Sequence, residues 1–284
     1  MAQESMTPIE NRPKFISSRN DLRIKRRRDL QRREERDRTR LYFIDGIRFL
    51  FQATQMQVPL ETLLYAPKLL TNPVGQKLVR QQRRIGTPCL EVPPKVYHSV
   101  SLAEEPQGVG AVVRQRWEKL ETIRPASELC WAAVERAQSP GNLGTIIRTS
   151  EAVGGAGLIL LDEATDPYDP ATVRATMGAT FSQRFVRAPL TELAEWKQRY
   201  RCFLAGTSPS AATDYHAISY PPPTVLFMGG ERQGLSPQCQ ALCDVIVKIP
   251  MVGACDSLNL AVATSVMLYE LFNQHRAARS QGHN

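Results

Sequence analysis

Glycines gather at three points where an apolar, strand-like run ends. Gly141 lies in SPGN beyond residues 130–134, Gly229, Gly230 and Gly234 lie in FMGGERQG beyond 224–228, and Gly253 lies in PMVG beyond 245–249. A residue without a Cβ lets main chain approach a ligand closely and tolerates positive φ, so amides and carbonyls become the reading groups. The chemistry this suits is a small molecule held by backbone at strand ends. Any one of these loops is equally an ordinary turn between strand and helix; three of them, each closing a strand, favour a shared site.

Polar side chains stand beside the same loops. Asn142 follows Ser139-Pro140-Gly141 at the start of a helix expected over 143–153, where it can cap the first turn, and Arg148 follows six residues later among apolar neighbours. Asp256-Ser257-Leu258-Asn259 opens the last helix, and Ser257 is placed to cap it.

The elements that must position these residues alternate. Strands are expected at 130–134, 158–161, 201–205, 224–228 and 245–249, with helices between them, which argues a mostly parallel sheet with ligands at its carboxyl ends. Spacing alone does not separate this from a Rossmann-type nucleotide fold, although a strict GxGxxG is absent. Upstream, residues 41–114 read as a small α/β domain, with strands at 41–44, 62–65, 89–92 and 110–113 and helices at 46–55, 76–85 and 95–100. Residues 115–127, charged and containing Pro125, read as a linker, with a helix over 117–123 as the alternative; residues 128–284 form the second domain.

Residues 1–40 are a basic extension, with one helix expected over 19–38. Between Arg19 and Arg40 eleven Lys or Arg face five Asp or Glu, which accounts for most of the formal net charge of +8. Such an arm attracts a phosphate backbone, while the interleaved Glu34, Glu35 and Asp37 leave a solvated helix of mixed charge as the plain alternative. The six cysteines form no CxxC pair and the four histidines no HxxxH, so no metal site is expected. No apolar run approaches the roughly 20 residues that span a bilayer, and the polar start lacks a signal core. A soluble, cytoplasmic, thiol-reduced protein is expected.

PGNLGTIIRTSEAVG, FMGGERQGLS and IPMVGACDSLNLAVA, in that order, resemble the three motifs of the SpoU/TrmH family of RNA ribose 2′-O-methyltransferases. The resemblance covers residues 128–273 and, more loosely, 41–114, which is similar to the family's ribosomal-protein-like RNA substrate-binding domain. It implies an α/β SPOUT domain with a parallel sheet and a deep trefoil knot, S-adenosyl-L-methionine as cofactor, and a homodimer with active sites near the interface. The apolar residues Leu260, Val262, Val266, Leu268 and Leu271 of the last helix are the material for that interface, or else simply pack on their own sheet. Ribosomal RNA is preferred over transfer RNA as substrate. A non-catalytic RNA-binding or assembly factor on the same fold is the contrasting reading.

Residue by residue, the resemblance places Gly229, Ile249 and Leu258 around the adenosine part of the cofactor, with Thr207 as a further wall. Asn142, Arg148, Glu231, Ser257 and Asn259 match the family's catalytic positions. The family's Arg is often described as a general base, but a guanidinium stays protonated in proteins. Arg148 is therefore expected to hold an RNA phosphate and stabilise the emerging alkoxide, while Asn142, Ser257 and Asn259 orient the sugar. Gly230, Arg232 and Thr176 depart from the residues common at their positions, which bears on loop shape and substrate contact.

Overall fold

The computed structural model describes residues 13–125, 129–161 and 165–281. The first twelve residues of the basic extension, and residues 126–128 at the end of the expected linker and the start of the second domain, lie outside that range. The chain divides into two compact units, one containing the chain up to Gln115 with Tyr168–Pro170, the other Arg116–Pro167 and the chain from Ala171 onward.

The first unit runs β1 (Lys14–Phe15), α1 (Leu22–Asp29), α2 (Arg33–Thr39), β2 (Leu41–Asp45), α3 (Ile47–Gln55), β3 (Leu60–Tyr65), α4 (Pro73–Arg84), β4 (Cys89–Glu91), α5 (Pro94–Tyr97) and β5 (Val109–Arg114). Its sheet has the order β1-β4-β3-β5-β2 and is mixed: β1, β4 and β3 are parallel, while β5 is antiparallel to both β3 and β2. Ile24, Leu64, Leu90, Val96 and Tyr97 meet in a core beneath it.

The single basic helix expected over 19–38 is two helices. Asp21 caps α1 by accepting from the Arg23 amide, and the chain turns after Leu30, which is buried. Arg32 is extended, and the buried Arg36 donates through Nη1 to the carbonyls of Leu30 at 2.9 Å and Gln31 at 2.7 Å, satisfying groups that a continuous helix would have used itself.

The second unit contains β6 (Trp131–Val134), α6 (Pro140–Ala152), β7 (Gly157–Leu160), α7 (Pro170–Ala175), β8 (Phe185–Arg187), α8 (Leu190–Tyr200), β9 (Phe203–Thr207), β10 (Thr213–Asp214), β11 (Thr224–Met228), α9 (Pro237–Leu242), β12 (Val245–Lys248) and α10 (Leu260–Gln281). Its seven strands are all parallel, in the order β10-β12-β9-β11-β6-β7-β8. Strands covered on both faces read as unbroken apolar runs, as WAAV, GLIL and TVLFM do. Trp131, Ile159, Val186, Trp196, Leu204 and Phe227 centre the core.

The stretch expected as a linker is largely packed into this unit. Leu120 and Ile123 belong to its core, the Glu118 amide donates to the Phe185 carbonyl at 2.9 Å, and Trp196 Nε1 donates to the Ile123 carbonyl at 2.9 Å. The apolar residues among its charges draw it down, and a 3-10 turn at Leu120–Thr122 stands where a linking helix was the alternative. α6 also differs: Ser139 caps it, with Pro140 in the first turn, so Asn142 is released from the capping role.

Candidate active site

β9, β11 and β12 are neighbours, and their carboxyl ends open onto one cleft of about 420 Å³. Thr207, Gly229, Ile249 and Leu258, the four residues expected around a cofactor, all line it. Met228, Leu235 and Val247 add apolar wall, and the loop that follows β11 forms one side.

The glycines of that loop serve a purpose other than the expected one. A Cβ on Gly229 would lie 2.0 Å from the Gly234 carbonyl carbon and 2.1 Å from the Leu235 nitrogen, so the space is taken by the loop's own main chain. Gly230 and Gly234 exchange backbone hydrogen bonds of 2.9 and 3.0 Å, and Gly234 holds φ +65°, closing the loop on itself. Gly229 thus shapes the cleft wall by letting the chain cross tightly behind it. Of the segment after β12, Met251, Ser257 and Leu258 line the cleft, and their amides donate no hydrogen bond within the described residues.

The polar residues divide into three groups. Asn142, Glu231 and Asn259 form a chain: Asn142 Nδ2 donates to Glu231 Oε1 at 2.9 Å, and Asn259 Nδ2 donates to Asn142 Oδ1 at 3.0 Å. Both ends of the chain are fixed. Glu231 Oε1 also accepts the Ser139 amide at 3.0 Å, and Asn259 Oδ1 accepts the Ala261 and Val262 amides at 2.9 and 3.3 Å. Asn259, then, caps α10 in place of Ser257, whose hydroxyl bonds Asp256 at 3.2 Å and which lines the cleft beside Leu258. Arg148 stands apart. It is exposed and forms no hydrogen bond or ion pair among the described residues; six residues along α6 from Asn142 places it about 9 Å farther up the helix and about 120° around it.

Two supporting residues were absent from the sequence expectation. Ser139 caps α6 and presents its amide to Glu231, and Glu135, just beyond β6, accepts the Ser236 amide at 2.9 Å and so ties down the end of the loop. A Ser before Pro-Gly was a readable cap signal; an acid one residue past a strand carries no such signal. Burial pushes the Cys239 thiol up to about 11 and the Cys243 thiol up to about 12, which disfavours a thiolate at either position near neutral pH.

The cleft fits S-adenosyl-L-methionine in kind. Its volume falls in the range of small-molecule sites, its lining mixes apolar and polar residues in similar measure, and it lies where open α/β sheets bind nucleotides. Among the described residues no cluster of His, Cys, Asp or Glu could hold a metal ion, and no helix is long and apolar enough to cross a membrane.

An all-parallel α/β unit with this cleft and an Asn-Glu-Asn chain at its edge defines a nucleotide-cofactor enzyme of the SPOUT class. The SpoU rRNA Methylase family model matches residues 131–269, and the MRM3-like substrate binding domain model matches residues 21–111. The chain is 33% identical over 258 residues to the 23S rRNA (uridine(2479)-2′-O)-methyltransferase of Streptomyces viridochromogenes, covering 88% of this chain and 89% of that protein. It is 27% identical to the 23S rRNA (guanosine(2553)-2′-O)-methyltransferase RlmP of Bacillus subtilis, over 91% of this chain and 99% of the relative. The AdoMet-bound rRNA methyltransferase of Sinorhizobium meliloti superposes with a TM-score of 0.84 at 33% identity, over 92% of this chain and 97% of that one. This chain belongs to the SpoU rRNA methylase family.

Proposed function

We propose that the protein transfers the methyl group of S-adenosyl-L-methionine to the 2′-hydroxyl of a ribose in RNA, with ribosomal RNA as the substrate. The observation that carries this reading is the meeting, at one cleft, of the four cofactor-wall residues with Ser257 and Glu231, to which Asn142 and Asn259 are joined in a hydrogen-bonded chain. Residues 89 and 117 positions apart in sequence are joined there by hydrogen bonds. Full-length relatives named for the 2′-O-methylation of 23S rRNA support ribosomal over transfer RNA, and because one is named for a uridine and the other for a guanosine, the base stays open.

When bound, the cofactor supplies an electrophilic methyl on a sulfonium: the ribose oxygen forms a bond to the methyl carbon as the carbon–sulfur bond breaks, and the hydroxyl proton departs to solvent or a nearby acceptor. The chain's part is placement and charge. Thr207, Gly229, Ile249 and Leu258 form the walls that hold the adenosine end. Glu231 fixes the Asn142 amide, which fixes Asn259, so two side-chain amides are set in advance beside Ser257 to orient the sugar. Arg148, unpaired and permanently charged, is available to a substrate phosphate and to the oxygen as its negative charge grows.

The expected domain roles, the knot, the dimer and a cytoplasmic setting form the finer part of this reading. β12 lies beyond β9 although β11 lies inside it, and the chain after β12 returns to pack α10 beside α6 and β11, which supports a threaded end. For the dimer, the five-residue face is amended: Leu260, Leu268 and Leu271 are buried within their own unit, whereas Val262 and Tyr269 are about half exposed and Val266 is partly so. The stripe Val262-Val266-Tyr269, spaced by four and three, is what remains for a partner copy, and it would bring each Arg148 near a shared boundary.

Titration calorimetry with S-adenosyl-L-methionine tests the reading. Saturable one-to-one binding is expected; a chain that binds rRNA yet takes up no cofactor is the non-catalytic factor instead.

A further inference from the structure

The first unit contains a second large concavity, a groove of about 860 Å³ lined by the α1–α2 arm and by residues of all five strands of its sheet. Its floor is apolar, with Leu90 and Val112, and its sides carry Lys14, Arg23, Arg26, Arg27 and Arg38. Some of that charge is spent internally: Arg23 pairs with Asp21 at 2.5 Å, Arg38 with Glu35 at 2.6 Å, and the groove's other acid, Glu61, with Arg114 at 2.6 Å. Among the described residues Lys14, Arg26 and Arg27 form no salt bridge, although Asp21 acts on Lys14 and Arg27 and Glu35 on Arg26 through space.

Arg27 is the telling member. It sits one turn beyond Ile24 on the face of α1 that enters the core, and it is only 8% exposed. Its Nη1 donates to the Arg23 carbonyl at 2.5 Å, while its buried Nε has no partner. Burial pushes its guanidinium down to about 10, with Arg23 adding to the fall and Asp21 offsetting part of it, so at neutral pH it is still a cation. A buried cation with no salt bridge and one unpartnered nitrogen is costly to keep. An apolar residue would serve the packing better, and the groove beside it is open to an anion.

We infer that this groove is an RNA-backbone site, in which a phosphate is received by Arg27 with Arg26 and Lys14 around it. The inference rests on the RNA reading given above and names the surface that would grip the substrate. The arm is thereby a built wall, with α1 and α2 folded so that a cation reaches the base of the groove.

Filter binding of deproteinised 23S rRNA to the full chain, between about 50 and about 200 mM salt, tests this. Arg27→Met is expected to weaken binding by at least about tenfold and to make the slope of log affinity against log salt shallower by about 0.7–0.9. Its melting temperature should hold or rise, because an unpaired buried charge has been replaced by an apolar chain, and cofactor binding should not change. A lower melting temperature with an unaltered salt slope would mark Arg27 as a structural residue and overturn the inference. The double variant K14M/R26M, both residues being exposed, decides the matter if Arg27→Met does not fold: weaker binding with a shallower slope supports the site, and wild-type binding overturns it. Wild-type rRNA binding with neither variant affected removes the groove alone, whereas a wild-type chain that binds no rRNA removes the function proposed above as well.

Discussion

The two concavities are built on opposite principles. The cleft of the second unit is shaped by main chain at the ends of β9, β11 and β12, with a loop so tight that its first glycine has no room for a Cβ. The groove of the first unit is shaped by long cationic side chains, one of them buried without a salt bridge. Backbone recognition suits one small ligand in one pose; side-chain charge suits a polymer recognised by its phosphates. One surface should therefore be intolerant of added atoms and the other intolerant of lost charge.

Arg148 is the largest test of that division, because it is a charge placed in the backbone-built unit. Arg148→Ala should lower the rate of methyl transfer by about 100- to 1000-fold, as removal of a donor to a developing oxyanion does, with cofactor affinity by calorimetry unchanged. Retained turnover would remove Arg148 from the chemistry. Next in size is Gly229→Ala, whose methyl would meet main chain at 2.0 Å. It should weaken cofactor binding by at least about tenfold and lower stability by about 1–3 kcal/mol, and the wild-type affinity in this variant would mean that the loop is not the cleft wall. Asn259→Ala has the smallest expected effect on function. Losing the cap on α10 should cost about 1 kcal/mol in chemical denaturation, while the freed Asn142 amide should cut turnover more than it raises the cofactor Kd; an equal effect on both would place Asn259 in binding rather than in sugar orientation.

What could be read from the sequence follows the same division. The strands β6, β7, β9, β11 and β12 are rich in apolar residues, and all five are where the pattern expects them, within a few residues at their ends. β8 and β10, three and two residues long, carry no period to detect. The four cleft residues were legible because a motif's register survives in one dimension, although the purpose of Gly229 was not, since the atoms it makes room for arrive five residues later in a reversed chain. The Asn142-Glu231-Asn259 chain joins the first turn of α6, the loop after β11 and the residue before α10, and no local rule links them. In the arm, charge alternation suggested one solvated helix. The break at Leu30 depends on Arg36 reaching back to two carbonyls, and the burial of Arg27 depends on Ile24 docking into the core, both of which are tertiary events.

The most direct measurement of the central claim is methyl transfer itself. The full chain is incubated with deproteinised 23S rRNA and methyl-labelled S-adenosyl-L-methionine, and the product is hydrolysed with alkali. The account predicts label in an alkali-resistant dinucleotide, the mark of a blocked 2′-oxygen, at one position in the RNA. Label released in a mononucleotide, which places the methyl on a base, would contradict it, as would cofactor binding with no transfer to any ribosomal RNA.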